Sequence, residues 1–443
     1  MPTQVQPSTP SRRWVSVCWN SKLCMVLVAL AIRLAVMGFL YQEQTDPDRD
    51  HWRFAYEAGR VARSIATGHG YGSPLFADTG PTAWQPPIYP YIIAGVFQVF
   101  GVYSTTSAFV LLISNALISA LTCIPIFFVA RRVFDKETFG ERIAVWSGWA
   151  WAFFPYAIYF SVERIWGTWL ATLLLAILLL LTLRFEKSAG LSAWAGYGLL
   201  WGFTALIDPV VLTVLPAMMG WVGFRLYQCR ERWLAPLTVA SLALVLSVSP
   251  WFLRNYQVFH RFIPFRDTMG LELMVGNYGD TFHWHPRQLG PWHNEAEWQQ
   301  FQKVGEVAYM DEKKAQALEF IRGHKGWFVW VTLRRIAYIW TGFWSVDPKY
   351  LSEEPLDPFN IVFCTAVSAL SLAGLIRLFR ENLAIAILFS LILLFFPVIY
   401  YITHMEVYYR RQIDPVMVML TVYAIFGRLA KNSNTCHSEG LQP

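Results

Sequence analysis

About ten apolar stretches run between Met25 and Gly427, and they leave two long polar loops on one side of the implied membrane. One helical crossing of a bilayer needs about 20 largely apolar residues. Stretches of that order are read at 22–41, 103–130, 143–161, 165–183, 191–207, 209–226, 234–252, 358–378, 382–402 and 412–429. The chain is therefore expected to be an all-α polytopic membrane protein. Only 15% of its 443 residues are charged and 55% are hydrophobic, where soluble domains carry nearer a quarter of charged residues. Many of its 21 tryptophans lie at span ends, as an aromatic belt requires. The net charge of +6 is accounted for by basic residues flanking the spans, so nucleic acid is not an expected partner, and membrane lipids are.

Flanking charge sets the orientation. The short segments carrying Arg12/Arg13, Arg131/Arg132/Lys136, Arg184/Lys187, Arg225/Arg230/Arg232, Arg377/Arg380 and Arg428/Lys431 all fall on one side, which the positive-inside rule makes cytoplasmic. The chain then divides into a cytoplasmic tail (1–21), a membrane module (22–252) with a first external loop (42–102), and a second external loop (253–357). C-terminal spans (358–429) and a cytoplasmic tail (430–443) complete it. Short external turns fall at Glu163 and at His404–Arg411. This topology requires that Trp327–Trp344 not cross; Arg334 and Arg335 interrupt its apolar run, so it reads as an interfacial helix. The N-terminus looks like a signal anchor, because its apolar run is long, contains Arg33 and lacks a cleavage site. None of the six cysteines lies in an external loop, which argues against a disulfide or a thiolate metal site.

The external loops carry the chemistry. Asp46, Asp48, Asp50, His51 and Glu57 fall in the first, and Glu272, His283, His285 and His293 in the second. Such a distribution suits chemistry at one membrane face. A transporter wants ionisable groups near the midplane and broken helices in paired halves; here Arg33 is the main mid-span charge and no internal repeat is visible. Phe54–Ala66 reads as an amphipathic helix, with Phe54, Ala58, Val61, Ala62 and Ile65 on one stripe and Glu57 and Arg60 off it. It is followed by the rigid segment Pro81–Pro90 (PTAWQPPIYP) and a short apolar stretch, Tyr91–Phe100. Asn294–Gly323 has helical periodicity behind an acidic start. The histidines of the second loop read as a surface cluster rather than a metal site, and Asp208-Pro209 as a helix turn.

Three features taken together resemble a known family: the acidic amphipathic helix after the first span, the PPxYP segment at Pro86–Pro90, and Tyr409-Arg410-Arg411-Gln412-Ile413-Asp414-Pro415 before the last span. They look like glycosyltransferase family 39 and its relatives, the protein O-mannosyltransferases and lipid A aminoarabinose transferases of the C-type membrane fold. The resemblance implies an enzyme that takes a sugar from a polyprenyl-phosphate donor. It implies transfer to a glycan, lipid or protein acceptor at the periplasmic or lumenal face, here expected to be the outer face of a bacterial inner membrane. It requires no certain cofactor and leaves a divalent cation open. A polymerase or ligase of lipid-linked glycans shares this chemistry, and a flippase is the remaining alternative.

Transfer from a lipid phosphate needs a carboxylate to deprotonate the acceptor and cations to neutralise the departing phosphate. Glu57 is the first candidate for the base, with Asp50 and Glu163 as alternatives. Two departures from the family pattern matter. The usual acid position falls on Phe54, one helical turn before Glu57, and Gln85 stands where relatives often place Lys. Another cation must then meet the phosphate, and Arg410 and Arg411 beside His404 are the candidates, followed by Arg254. Arg60 and Glu272 complete the expected substrate contacts.

Overall fold

The computed structural model describes residues 19–40, 54–134, 140–185, 189–279, 289–292, 294–342, 348–353, 357–406 and 408–438. Asp50 and the histidines 283, 285 and 293 lie outside the described residues. The described chain is helical, with one isolated bridge between Gly72 and Pro81. It is an all-α polytopic membrane fold.

Every expected span coincides with a helix or with a helix broken once. Among the described residues five meet the length and hydropathy of a full crossing: Lys22–Leu40, Thr105–Val133, Leu234–Phe259, Phe359–Glu381 and Leu383–Ile402. Of the others, Thr168–Arg184 and Leu191–Ala205 are shorter. One helix pair packs through close approach of backbones. Helix Leu191–Ala205 lies against Leu234–Phe259 at Gly198 and Gly202, where a Cβ would fall 2.0 Å from the Ala240 carbonyl oxygen and 1.7 Å from Ser247 Oγ. Small residues four apart are what lets apolar helices meet in lipid, where no hydrophobic force drives them together.

The stretch expected at 143–161 is two helices, Gly140–Ala152 and Pro155–Glu163. Pro155 cannot donate the helical hydrogen bond to Trp151 O, so the helix breaks there and Trp151 O accepts from Phe154 N at 3.2 Å instead. The fully buried Arg33 also reaches this break, donating to Ala152 O at 3.1 Å and Trp151 O at 3.4 Å, and to Ser119 Oγ at 3.0 Å and Ala29 O at 2.9 Å. The mid-span charge is thus committed to a helix break. We expect Arg33→Met to lower the melting temperature in detergent, since each buried carbonyl left unpaired costs about 1–3 kcal/mol; an unchanged melting curve would remove this role.

At the end of the bundle that carries the two long loops, the first-loop helix runs Tyr56–Ala66 and so starts two residues later than its periodicity suggests. Its buried stripe of Ala58 and Ala62 packs with Phe54 on Ile93 and Phe97 of helix Ile88–Phe100, the apolar stretch read at 91–100. In the second loop, Asn294 caps helix Glu295–Val304 by accepting from Ala296 N at 3.0 Å. Gly305, at φ 80°, separates that helix from Glu306–Gly323. Helix Lys325–Thr341 covers the segment read as interfacial. Val329, Trp330 and Leu333 are exposed on it, while Arg335 turns inward to the Gly276 and Tyr401 carbonyls.

Candidate active site

A cavity of about 550 Å³ opens where the ends of the helices meet the two long loops. Its walls come from the first-loop helix (Tyr56, Glu57), the Trp84–Pro86 segment, the Arg164–Thr168 turn and the Asp208–Val210 turn. Arg266–Glu272 of the second loop and the Tyr400–Gln412 region close it.

Glu57 stands half-buried in the wall, in the first turn of its helix. Burial pushes its carboxyl above the ordinary carboxylate range. Its own backbone N–H and the cations Arg266 and Arg60 pull it back, while Glu272 pushes in the same direction as burial. Across the cavity, Arg266 donates from Nε to Thr268 Oγ1 at 2.6 Å and from an Nη to Glu272 Oε1 at 3.3 Å. His404 lies 3.6 Å from Glu272 and 3.3 Å from Glu406. Burial works against its charged form, but the two carboxylates outweigh burial and raise its pKa to about 9, so it is an imidazolium at neutral pH. Burial likewise works against Glu272, but the His404 hydrogen bond and Arg266 hold it ionised, below its usual value.

A second wall is aromatic. Trp166 meets Tyr56 at a tilt, with centroids 5.6 Å apart, and Tyr408 edge to face at 4.9 Å, and the Arg164 guanidinium sits 4.2 Å from the Tyr408 ring centre. Glu163 holds that arginine at 2.6 Å. Asp208 caps the Pro209–Thr213 turn through Val210 N at 3.1 Å, as a helix-turn role requires, and its other oxygen accepts from Gln412 at 2.5 Å.

Of the residues singled out in the sequence, the cavity brings together Glu57, Gln85, Glu272 and His404. Glu163 acts one step back, through Arg164. The remaining cations are elsewhere. Arg410 and Arg411 are both 1% exposed and pair with Asp414, at 3.3 and 2.8 Å; Arg410 also donates to Ile339 O at 2.9 Å, and Arg411 lies over the Tyr156 ring. They sit beneath the cavity, not on it, because a buried Asp at the start of the last helix requires partners. Arg254 holds the first loop by donating to Thr82 O at 2.7 Å and Tyr71 O at 2.9 Å. Arg60 is buried over Phe76. Arg266 and Arg164, which line the cavity, carry no motif in the sequence.

Among the described residues no group of three His, Cys, Asp or Glu side chains is placed to hold a metal ion. Behind the wall, Glu306 accepts from Thr82 Oγ1 at 2.5 Å and Ala83 N at 2.6 Å, next to the buried carboxyl oxygens of Asp267. Burial, then mutual repulsion, lifts Glu306 well above its usual value, and burial lifts Asp267 to about 6. Both bind protons more tightly folded than unfolded. Their contribution is therefore fully present below the unfolded carboxylate range and is lost as pH rises through the folded values, about 6 for Asp267 and well above the usual value for Glu306. We expect the melting temperature in detergent to fall between pH 5 and 7.5, and Glu306→Gln to flatten that fall. Equal slopes for both proteins would exclude the pair as its source.

Residues 84–253 match the family model of the dolichyl-phosphate-mannose-protein mannosyltransferases. The chain is similar in fold to the oligosaccharyltransferase of Archaeoglobus fulgidus, solved with zinc and sulfate. The TM-score is 0.52 at 13% identity, over 91% of this chain and 49% of that one. The same archaeal protein in complex with an inhibitory peptide and a dolichol-phosphate gives a TM-score of 0.50 at 14% identity, over 95% and 52%. ArnT from Cupriavidus metallidurans, bound to undecaprenyl phosphate, gives 0.38 at 13% identity, over 94% and 81%. The chain thus spans about half the length of the archaeal protein. No curated protein matches its sequence. The resemblance read from the motifs is borne out, and the fold is that of the C-type membrane glycosyltransferases.

Proposed function

We propose that this protein is a membrane glycosyltransferase that moves a sugar from a polyprenyl-phosphate donor to an acceptor hydroxyl or amine in the cavity. The observation that carries this reading is the pairing, in one cavity, of a half-buried carboxylate with raised proton affinity and two arginines, Arg266 and Arg164. The family match over residues 84–253 and the fold support the same class.

Glu57 accepts the acceptor's proton as the acceptor oxygen or nitrogen attacks the anomeric carbon. The bond from that carbon to the phosphate oxygen breaks, and the lipid phosphate leaves with the electron pair. Arg266 and Arg164 neutralise it, which takes over the duty of the lysine that Gln85 replaces. Because phosphate leaves without a proton, one carboxylate suffices and the displacement inverts the anomeric centre. Glu272 and the His404 imidazolium hold Arg266 and the wall in place. The lipid tail lies between spans, and the cavity faces the periplasm across an inner membrane, following the charge asymmetry of the loops. A cavity of about 550 Å³ suits a short sugar.

A ligase of lipid-linked glycans is the second reading, favoured by the fold match to an oligosaccharyltransferase. Purified protein incubated with labelled polyprenyl-phosphate monosaccharides separates the two. Transfer supports the proposal. Transfer only from lipid-linked oligosaccharides supports the ligase, and none from either class removes both.

A further inference from the structure

Two successive non-glycine residues, Ala55 at φ 67° and Tyr56 at φ 52°, adopt the left-handed conformation immediately before Glu57. L-residues with side chains rarely hold this region, and strain of this kind persists only where the surroundings impose it. Those surroundings are visible on both sides of the turn. Upstream, Phe54 is buried, with its ring centre 5.5 Å from that of Phe97 and 5.3 Å from that of Tyr103. Downstream, the chain folds back onto Gly59, whose N–H donates to Ala55 O at 3.1 Å. A Cβ at position 59 would stand 2.1 Å from the Phe54 carbonyl oxygen and 3.2 Å from Ala55 Cβ. Glycine is a poor helix former, so its presence here, inside helix Tyr56–Ala66, is not explained by propensity. Residues 55 to 58 all line the cavity.

We propose that Gly59 is a positioning residue: by seating the Phe54 carbonyl it locks the left-handed Ala55–Tyr56 turn, and that turn aims Glu57 and Tyr56 into the cavity. This explains how the acid serves from one helical turn beyond the position it has in the resembling family. The carboxylate is carried back to the cavity by a reversal of the chain rather than by the register of the helix. The inference rests on the reading of Glu57 as the base.

The test is Gly59→Ala, measured beside Glu57→Gln, with transfer from a polyprenyl-phosphate sugar as the assay and thermal unfolding as the check on folding. Helix propensity alone would make Gly59→Ala neutral or stabilising. Positioning predicts a kcat lower by about 100-fold, the cost of misplacing a group by roughly an ångström, with the donor KM within twofold. It also predicts that the acidic limb of the kcat profile moves to lower pH as Glu57 loses its burial. Should Gly59→Ala not fold, Ala55→Val decides, because a β-branched residue cannot hold that φ; it is expected to show the same split. Wild-type kcat in a folded Gly59→Ala or Ala55→Val protein overturns the proposal. Wild-type kcat in Glu57→Gln instead overturns the reading beneath it.

Discussion

Glu57→Gln is expected to leave the protein folded and to reduce transfer by about 10²–10⁴-fold, the range that a general base contributes. The substitution keeps the side chain's size and removes its ability to take a proton. Stability should not suffer: a carboxyl whose proton affinity is raised by burial is held at a cost in its charged form, and the amide carries no charge to bury. The pH profile supplies an independent signature. The base must be ionised to act, so the wild-type rate should fall on the acid side at a pH above the ordinary carboxylate value. The residual rate of the variant should lack that limb. A variant with wild-type turnover would move the base to another acid facing the cavity, of which Asp208 is the nearest in kind, its carboxyl also raised by burial.

Arg266→Ala should lower kcat by about 10²–10³-fold, the loss seen when a preorganised donor to a developing anion is removed. The effect belongs mainly to kcat, because the charge on the phosphate oxygen grows as the bond to the sugar breaks. Arg266→Lys should recover part of the rate only, since a point charge cannot reproduce the two-pronged geometry of a guanidinium. A companion change at Arg410 or Arg411 should act differently. It would remove one of the two partners of the buried Asp414 and lower stability before it touched turnover. If Arg266→Ala keeps full kcat while Arg164→Ala does not, the phosphate lies against the aromatic wall instead.

The helices and the two long loops between them were legible in the sequence because lipid imposes long apolar runs. Glu57, Gln85, Glu272 and His404 were legible as candidates because a polar residue in a conspicuous loop or turn has few reasons to be there. The cations were not. Arg410 and Arg411 sit in a motif and beside the last span, yet whether an arginine faces a cavity or a buried aspartate three or four residues on is decided by helix rotation, which composition does not record. Arg266 sits in no motif at all and reaches the site only because helix Met269–Asn277 packs beneath Glu306–Gly323 and against the Thr403 backbone. The start of the first-loop helix was misjudged for a similar reason: the apolar stripe runs through Phe54, but Phe54 is buried as an anchor of a reversed turn rather than as part of the helix.

The cavity draws its walls from residue 55 at one end of the chain and residue 412 at the other. During synthesis the N-terminal part folds first, so Glu57 is in place long before Tyr408 and Gln412 exist. Until the last helix is inserted, the cavity lacks the wall that Tyr408, Tyr409 and Gln412 provide. Completion of the polypeptide is then also the step that completes the site, so a chain arrested before its last helix would hold Glu57 in an unfinished trough.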